Sequence, residues 1–468
     1  MIVAVVDDGT FQIDPYVKNT VDYAQYQGHY YSDKPPGAAF LGIPIYAGIK
    51  MFLQTPVIEQ LVIGLTSNSA IQATLNPQGT GISLAKLRFA IAQVIITYML
   101  ATLPTLGLAL LLYRFLRKLG VSPNLGILTV AGYGLMTPAF AYANAFYSHQ
   151  LSAALLFAAF YLSSDQKYIG RICRLLPIGF LLGYAVISEY PVLLIVFVLF
   201  VFTFYQLISC GKWKRIVWVI LSGLPVLIGW LIYNNAVFGS PFALGYGYST
   251  AWTVQHHTGF MSITYPHLDA IWGITFDPFR GLFILSPLLL LFIPGIIVWW
   301  RSNTYRAEWF VSTSVIGLMF LFTTSSIMWW GGFAIGPRYF LPALPFMIPP
   351  LGIFLARMGH LIKIRVLVGI IFLGSLAATW ILTLAGQAFP TDTIRNPILE
   401  YALPNWQSGN IARNLGTILG LNSLFSLLPY VFLIMGILVI WTLLTKRVNK
   451  ILKTQSFHNP VPTRSITL

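Results

Sequence analysis

The sequence predicts an all-α, polytopic helical membrane protein, and three observations carry that expectation. Of its 468 residues, 57% are hydrophobic and 9% charged, and the mean hydropathy is +0.74. A soluble globular chain is about 25% charged, and a disordered one joins low hydrophobicity to high charge, so both classes are excluded. The apolar stretches run unbroken for roughly 18 to 25 residues, as membrane helices do, whereas a membrane barrel alternates over strands of about ten. Finally, the net charge of +15 is concentrated in alternate loops, which marks topology and sets nucleic-acid binding aside.

Residues 1–88 precede the first span and are expected to form an outer loop. Within it the stretch from Gly37 to Gln54 is apolar but interrupted by Pro44, and it holds Lys50 near its end. A crossing there would reverse every later loop, so a helix lying in the membrane surface is expected. Eleven spans follow, at about 89–113, 124–143, 146–163, 175–187, 191–209, 216–234, 283–300, 309–330, 339–357, 366–386 and 425–444. The stretch 175–209 is read as a hairpin of two short helices. Ser188-Glu189-Tyr190-Pro191 interrupts it, Pro191 biases Tyr190 away from helix, and both flanks are basic.

Orientation follows from the basic loops. Arg114, Arg117 and Lys118; Lys167, Arg171 and Arg174; Lys212, Lys214 and Arg215; Arg301 and Arg306; and Arg357, Lys363 and Arg365 share one face with a basic tail at 446–468. All 13 acids except Asp165 and Glu308 fall on the other. The basic face is therefore expected in the cytoplasm, where Cys173 and Cys210 would be free thiols. Residues 1–88 then lie outside, and Met1–Val6 is too short to bring them across. One further helix before Met1 is expected, twelve in all. The transmembrane domain is 89–445, with long outer loops at 235–282 and 387–424.

Three outer segments hold the residues that could carry chemistry. The first loop has Asp7, Asp8 and Asp14, then Gly28-His29-Tyr30-Tyr31-Ser32-Asp33-Lys34-Pro35-Pro36-Gly37. The paired prolines stiffen the backbone and hold Lys34 at headgroup depth, where an ammonium suits a phosphate or anchors the surface helix by snorkelling. The second is the outer turn Trp329-Trp330-Gly331-Gly332-Phe333-Ala334-Ile335-Gly336-Pro337-Arg338. An aromatic belt explains the tryptophans, but it needs no glycine pair, and the turn holds no acid for Arg338. A guanidinium at a helix start suits a phosphate. The third, 235–282, carries Trp252, His256, His257, His267, Asp269, Asp277 and Arg280. Adjacent histidines do not point the same way on a regular element, so that pair alone makes no metal site. Glu189, in the hairpin turn, is either a polar contact to a substrate or a solvated turn residue.

The run GHYYSDKPPG before a surface helix and the later WWGGFAIGPRYFLPALPF resemble bacterial GT-C glycosyltransferases. These are integral-membrane, polyprenyl-phosphate-dependent enzymes related to protein O-mannosyltransferases (glycosyltransferase family 39) and the lipid A aminoarabinose transferases. The likeness spans the first outer loop, the helix count, the Ser-Glu-Tyr-Pro hairpin, and the FGSP and DPFRGLF segments. It implies a bacterial cytoplasmic-membrane enzyme of the cell envelope, with its site on the extracytoplasmic side. It makes Lys34 the ligand of the lipid phosphate, and in some members the acid beside that lysine, here Asp33, binds a metal. The family's catalytic carboxylate lies well before the glycine matching Gly9, beyond the reach of this chain. Asp7 and Asp8 stand in for it by proximity only.

The reaction so implied moves a sugar from a polyprenyl-phosphate donor to a hydroxyl of a glycan, lipid or protein acceptor. Phosphate leaves without a proton, so a single base suffices, worth about 10²–10⁴-fold, and single displacement inverts the anomeric centre. Lys34 and Arg338 would neutralise charge growing on the phosphate. Tyr31 and Trp330 could stack on a sugar, with Asp33 and Glu189 as polar contacts. The resemblance fixes no cofactor and leaves a divalent metal open. The competing classes are a transporter or flippase of lipid-linked sugars, which would place charges near mid-membrane, and a non-catalytic partner of the same fold.

Overall fold

Proline, glycine and paired charges decide where the apolar runs stop in the computed structural model, which describes residues 1–72, 75, 83–437, 439, 440, 442 and 443. The basic tail at 446–468 lies outside the described residues.

The chain opens with α1 (Ile2–Asp7) and a two-stranded hairpin, β1 (Ala24–Tyr26) and β2 (His29–Tyr31). Tyr26 pairs with His29, leaving Gln27 and Gly28 as a two-residue turn with φ of 50° and 84°. Positive φ at both positions matches the twist of a hairpin. Next come α2 (Gly37–Leu53) and α3 (Pro56–Leu65), bent by 89° at their junction. Met51, Phe52, Val57 and Leu61 are exposed along them, an apolar surface that suits lipid contact.

The bundle contains α4 (Leu84–Lys118), α5 (Pro123–Met136), α6 (His149–Ser163), α7 (Ile172–Ser188), α8 (Tyr190–Ser209) and α9 (Trp213–Phe238). A short α10 (Leu268–Thr275) sits in the outer loop, followed by α11 (Pro287–Arg301), α12 (Arg306–Ser325), α13 (Arg338–Met358), α14 (Ile362–Thr383) and α15 (Ser423–Ile437). Six helices are long and apolar enough to cross a membrane: α4, α8, α9, α12, α13 and α14, with the bent α2–α3 pair a seventh if it is one span. The expected count of eleven is not reproduced. The spans expected at 146–163, 175–187 and 283–300 are shorter helices. That at 124–143 breaks at Thr137-Pro138, because proline cannot donate to the preceding turn. That at 425–444 runs partly outside the described residues. In α4 the turn Tyr98–Thr102 widens to a π-helix just ahead of Pro104, again a consequence of the missing N–H.

α13 is the axis of the bundle, 83% buried over its apolar window, whereas α9 is 11% buried and presents its side chains outward. Phe115, Phe157, Phe160 and Phe346 interlock edge-on around α13. α7 meets α9 through small residues: a Cβ on Gly179 would fall 1.9 Å from the Val219 carbonyl oxygen, and Gly183 faces Gly223. Such spacing lets backbones approach where no hydrophobic effect drives association.

The expected hairpin is present. Gln166, before α7, donates to Gln206 Oε1 at 3.1 Å, and Arg215, after α8, bonds the Gly170 carbonyl. The chain thus returns to the end it left. Lys118 reaches the Ser164 carbonyl and lies 5.4 Å over the Tyr305 ring, so four basic loops gather at that same end. Both cysteines are unpaired, and Cys173 is exposed.

Candidate functional site

At the opposite end the first outer loop is strapped to the third. Ala24 bridges to Ser249, and the Thr250 amide donates to the Tyr23 carbonyl at 3.2 Å. This closes a turn over Asp33, which is completely buried. Asp33 Oδ2 accepts from the Ser249 hydroxyl at 2.9 Å and lies 3.3 Å from Lys34 Nζ. Lys34 Nζ is also 3.4 Å from Asp22 Oδ1 and 5.5 Å above the Tyr246 ring. Gly245 is required by closeness, since a Cβ there would stand 2.9 Å from the Asp33 main chain. Two buried atoms, Asp33 Oδ1 and His256 Nε2, have no hydrogen-bond partner. His256 stacks on Tyr246 at 5.0 Å, and burial, then the nearby Lys34, push its pKa down.

Pro35 and Pro36 aim the chain into α2, whose first residue abuts the end of α7. A Cβ on Gly37 would lie 2.5 Å from Ser188 Oγ and 2.7 Å from its backbone nitrogen. The next residue is Glu189, extended at φ −153°. Its Oε1 accepts from the Ser148 hydroxyl at 2.5 Å and lies 3.1 Å from His149 Nδ1. Burial alone would raise this carboxyl. His149, Ser148 and Arg338 together outweigh burial and hold it below the ordinary glutamate value.

Arg338 enters from the outer turn. Gly331 and Gly332 both have positive φ, 69° and 66°, and a Cβ on Gly331 would meet the Arg338 side chain at 2.8 Å. These are the physical reasons for the glycine pair. The guanidinium lies 5.8 Å from the Tyr147 ring centre and 5.4 Å from that of Tyr339, and no acid among the described residues is within ion-pair distance of it. Its Nε is buried without a hydrogen bond. The Tyr246 ring under Lys34 stands 5.9 Å from that of Tyr190, next to Glu189, and the Tyr147 ring beside Arg338 stacks at 5.8 Å on His149, which meets Glu189. Lys34, Asp33, Glu189 and Arg338 therefore share one chamber.

The other expected residues stand elsewhere. Asp7 Oδ1 pairs with Lys50 at 2.7 Å and Oδ2 accepts from Tyr46 at 3.0 Å, while Asp8 accepts from Tyr16 at 2.8 Å. Lys50 is thirteen residues along α2 from Gly37, about 20 Å at 1.5 Å per residue. Asp7 is thereby tied to α2 well along from Gly37, and Asp8 to Tyr16 in the first loop. Tyr31 packs on Phe238 at 6.0 Å and takes a contact from Gln12, so it supports the hairpin. Trp330 is set edge-on to Trp329 at 5.9 Å with its Nε1 buried and unpartnered, and its carbonyl accepts from Arg280 at 3.2 Å.

Sequence reasoning passed over His149, Ser148, Tyr246 and Ser249. The polar triplet Ser148-His149-Gln150 between apolar runs was the available signal for two of them. It also treated Arg280 as one loop residue among many. Arg280 is fully buried and donates to the carbonyls of Trp330, Gly332, Phe279, Pro390 and Thr391, tying the glycine turn to the last outer loop. Burial pushes its pKa down to about 10, leaving it charged at neutral pH. Among the described residues no three His, Cys, Asp or Glu side chains are grouped to hold a metal, so Asp33 lacks the companions a divalent ion would need.

Fold and chamber together define a helical membrane protein with a cation-bearing polar site at one end of its bundle. No protein-family model matches the chain, and no curated protein matches it significantly.

Proposed function

We propose that this protein is a glycosyltransferase of the bacterial cytoplasmic membrane, of the GT-C kind. It moves a sugar from a polyprenyl-phosphate donor to an acceptor hydroxyl on the extracytoplasmic side, with inversion. In this reading the chain crosses eleven times, the short and broken helices completing their crossings with extended or 3₁₀ segments.

The observation that carries the reading is the pairing of Lys34 with Arg338. They lie far apart in sequence, Lys34 over Tyr246 and Arg338 over Tyr147, linked through Tyr190, Glu189 and His149 at the end away from the basic loops. Two fixed cations at a low-dielectric boundary lower the energy of a leaving phosphate more than in water. Lys34 is 35% exposed and held by two carboxylates, so an incoming phosphate exchanges one anionic partner for another. An apolar groove of about 520 Å³ runs between α4 and α5, lined by Leu106, Leu110, Val130, Leu135, Phe140 and Ala143. It reaches within a few residues of Tyr147 and has the chemistry to take an isoprenoid chain.

The test uses the purified protein in lipid nanodiscs with decaprenyl-phosphate-linked pentoses and hexoses. Sugar release or transfer is expected with at least one donor. The double variant Lys34→Ala, Arg338→Gln is expected to lose it by at least 10³-fold and to bind decaprenyl phosphate more weakly. Normal transfer by that variant rejects the assignment, and lipid translocation without transfer favours the transporter class.

A further inference from the structure

We propose that Glu189, oriented by His149 and Ser148, is the general base that takes the proton from the acceptor hydroxyl. The inference rests on the glycosyl-transfer reading and supplies the base that Asp7 and Asp8 do not provide.

The carboxylates of the first outer loop already hold other groups. Asp7 is paired with Lys50, Asp8 with Tyr16, and Asp14 with His29 and the Tyr30 amide. Asp22 and Asp33 both hold Lys34, and the Asp33 side chain is 0% exposed, closed off from any hydroxyl. Glu189 differs from Asp33 on both counts, and from Asp7 and Asp22 in its partners. It makes no contact with Lys or Arg within ion-pair distance, and its side chain is 12% exposed. Oε1 accepts from Ser148 and lies within ion-pair distance of His149 Nδ1, which makes no hydrogen bond of its own, while no hydrogen bond falls on Oε2 among the described residues.

Position supports the same role. Glu189 lies at the break between α7 and α8, one residue from the Gly37 contact, and Arg338 stands over Tyr147, the ring that stacks on His149. A base there faces the same space as the two phosphate-binding cations. His149 is itself fixed, stacked on Tyr147 at 5.8 Å and edge-on to Tyr142 at 5.5 Å. A histidine beside a carboxylate orients it and steadies its charge, the arrangement of catalytic dyads generally.

The step balances. The acceptor oxygen attacks the anomeric carbon with its lone pair, and its proton passes to Glu189 Oε2. The bond from that carbon to the phosphate oxygen breaks, and its electron pair leaves with the phosphate, which Lys34 and Arg338 receive. Glu189 then returns the proton to water. Ionised at neutral pH, the carboxylate is in the form the step requires.

The test uses the purified protein in nanodiscs, the active donor from the decaprenyl-phosphate panel, and water or a simple alcohol as acceptor. Glu189→Gln is expected to lower kcat by 10²–10⁴-fold, with donor KM and decaprenyl-phosphate affinity within about threefold. Glu189→Asp is expected to recover part of the rate. His149→Asn is expected to move the acidic limb of the kcat profile to higher pH, because His149 helps hold the Glu189 pKa down; a merely structural histidine would not move it. A wild type that transfers together with a Glu189→Gln variant of equal rate overturns this inference alone. A wild type that binds donor and transfers none of the panel overturns the proposed function and this inference with it. If Glu189→Gln fails to bind decaprenyl phosphate, the His149→Asn limb decides: a shifted limb supports the base and an unmoved one overturns it.

Discussion

Arg280, fully buried, concentrates five backbone carbonyls on one side chain, and removing it takes their shared donor away. An unsatisfied buried group costs about 1–3 kcal/mol, so Arg280→Leu is expected to cost at least that much in thermal or denaturant unfolding. Arg280→Lys is expected to recover little, since an ammonium cannot reproduce the guanidinium fork. Asp14 makes a pH prediction. Slight burial would raise its carboxyl, but His29 and the Tyr30 amide hold it below its ordinary value. With the folded pKa depressed, the stabilisation is whole above the unfolded value and is lost as pH falls through the folded one. The Tyr30 amide, 2.6 Å from Asp14 Oδ1, is therefore expected to lose hydrogen-exchange protection in acid, and Asp14→Ala, which removes the acceptor, to lose it at every pH. At this scale Lys34 and Arg338 stood out in the sequence as cations beside paired prolines and a glycine pair, while the partners of Lys34, Asp22 and Asp33, came only with the fold. Glu189 was legible only as a polar turn residue, since its partners lie 40 residues away on another helix.

The contact that carries Lys34 into the chamber is between elements, where the start of α2 meets the end of α7. Gly37→Ala places a methyl against the Ser188 backbone, which cannot move aside without unseating Glu189. That variant is expected to fold yet lose most transfer activity, with decaprenyl-phosphate affinity weakened at least tenfold; unchanged affinity would show that the junction does not set the position of Lys34. The hairpin at 188–191 was readable because a proline and like-charged flanks are local features. The breaks at Thr137-Pro138 and Ser286-Pro287 contain the same residue type, yet hydropathy averaged over a window runs through them. That is why eleven continuous spans were expected where six long helices stand.

Across the whole molecule the basic loops and the Lys34–Arg338 chamber occupy opposite ends of the bundle. This predicts the outcome of labelling intact cells with a membrane-impermeant maleimide. The native Cys173, exposed in the fold, is expected to stay unlabelled until the membrane is opened, while Ser32→Cys on a background lacking both native cysteines reacts at once. Equal reaction of both would remove the sidedness on which the proposed reaction depends. Hydropathy and charge by themselves determined that this chain is a helical membrane protein and which loops lie together, because transfer into lipid is summed residue by residue and needs no knowledge of neighbours. The tertiary structure alone decided that Asp7 belongs to Lys50, that Asp33 is sealed beneath Gly245, and that Glu189 meets His149 at the chamber. A buried charge is fixed by whichever opposite charge or hydrogen-bond donor the packing brings within a few ångströms, and no spacing along the chain encodes that.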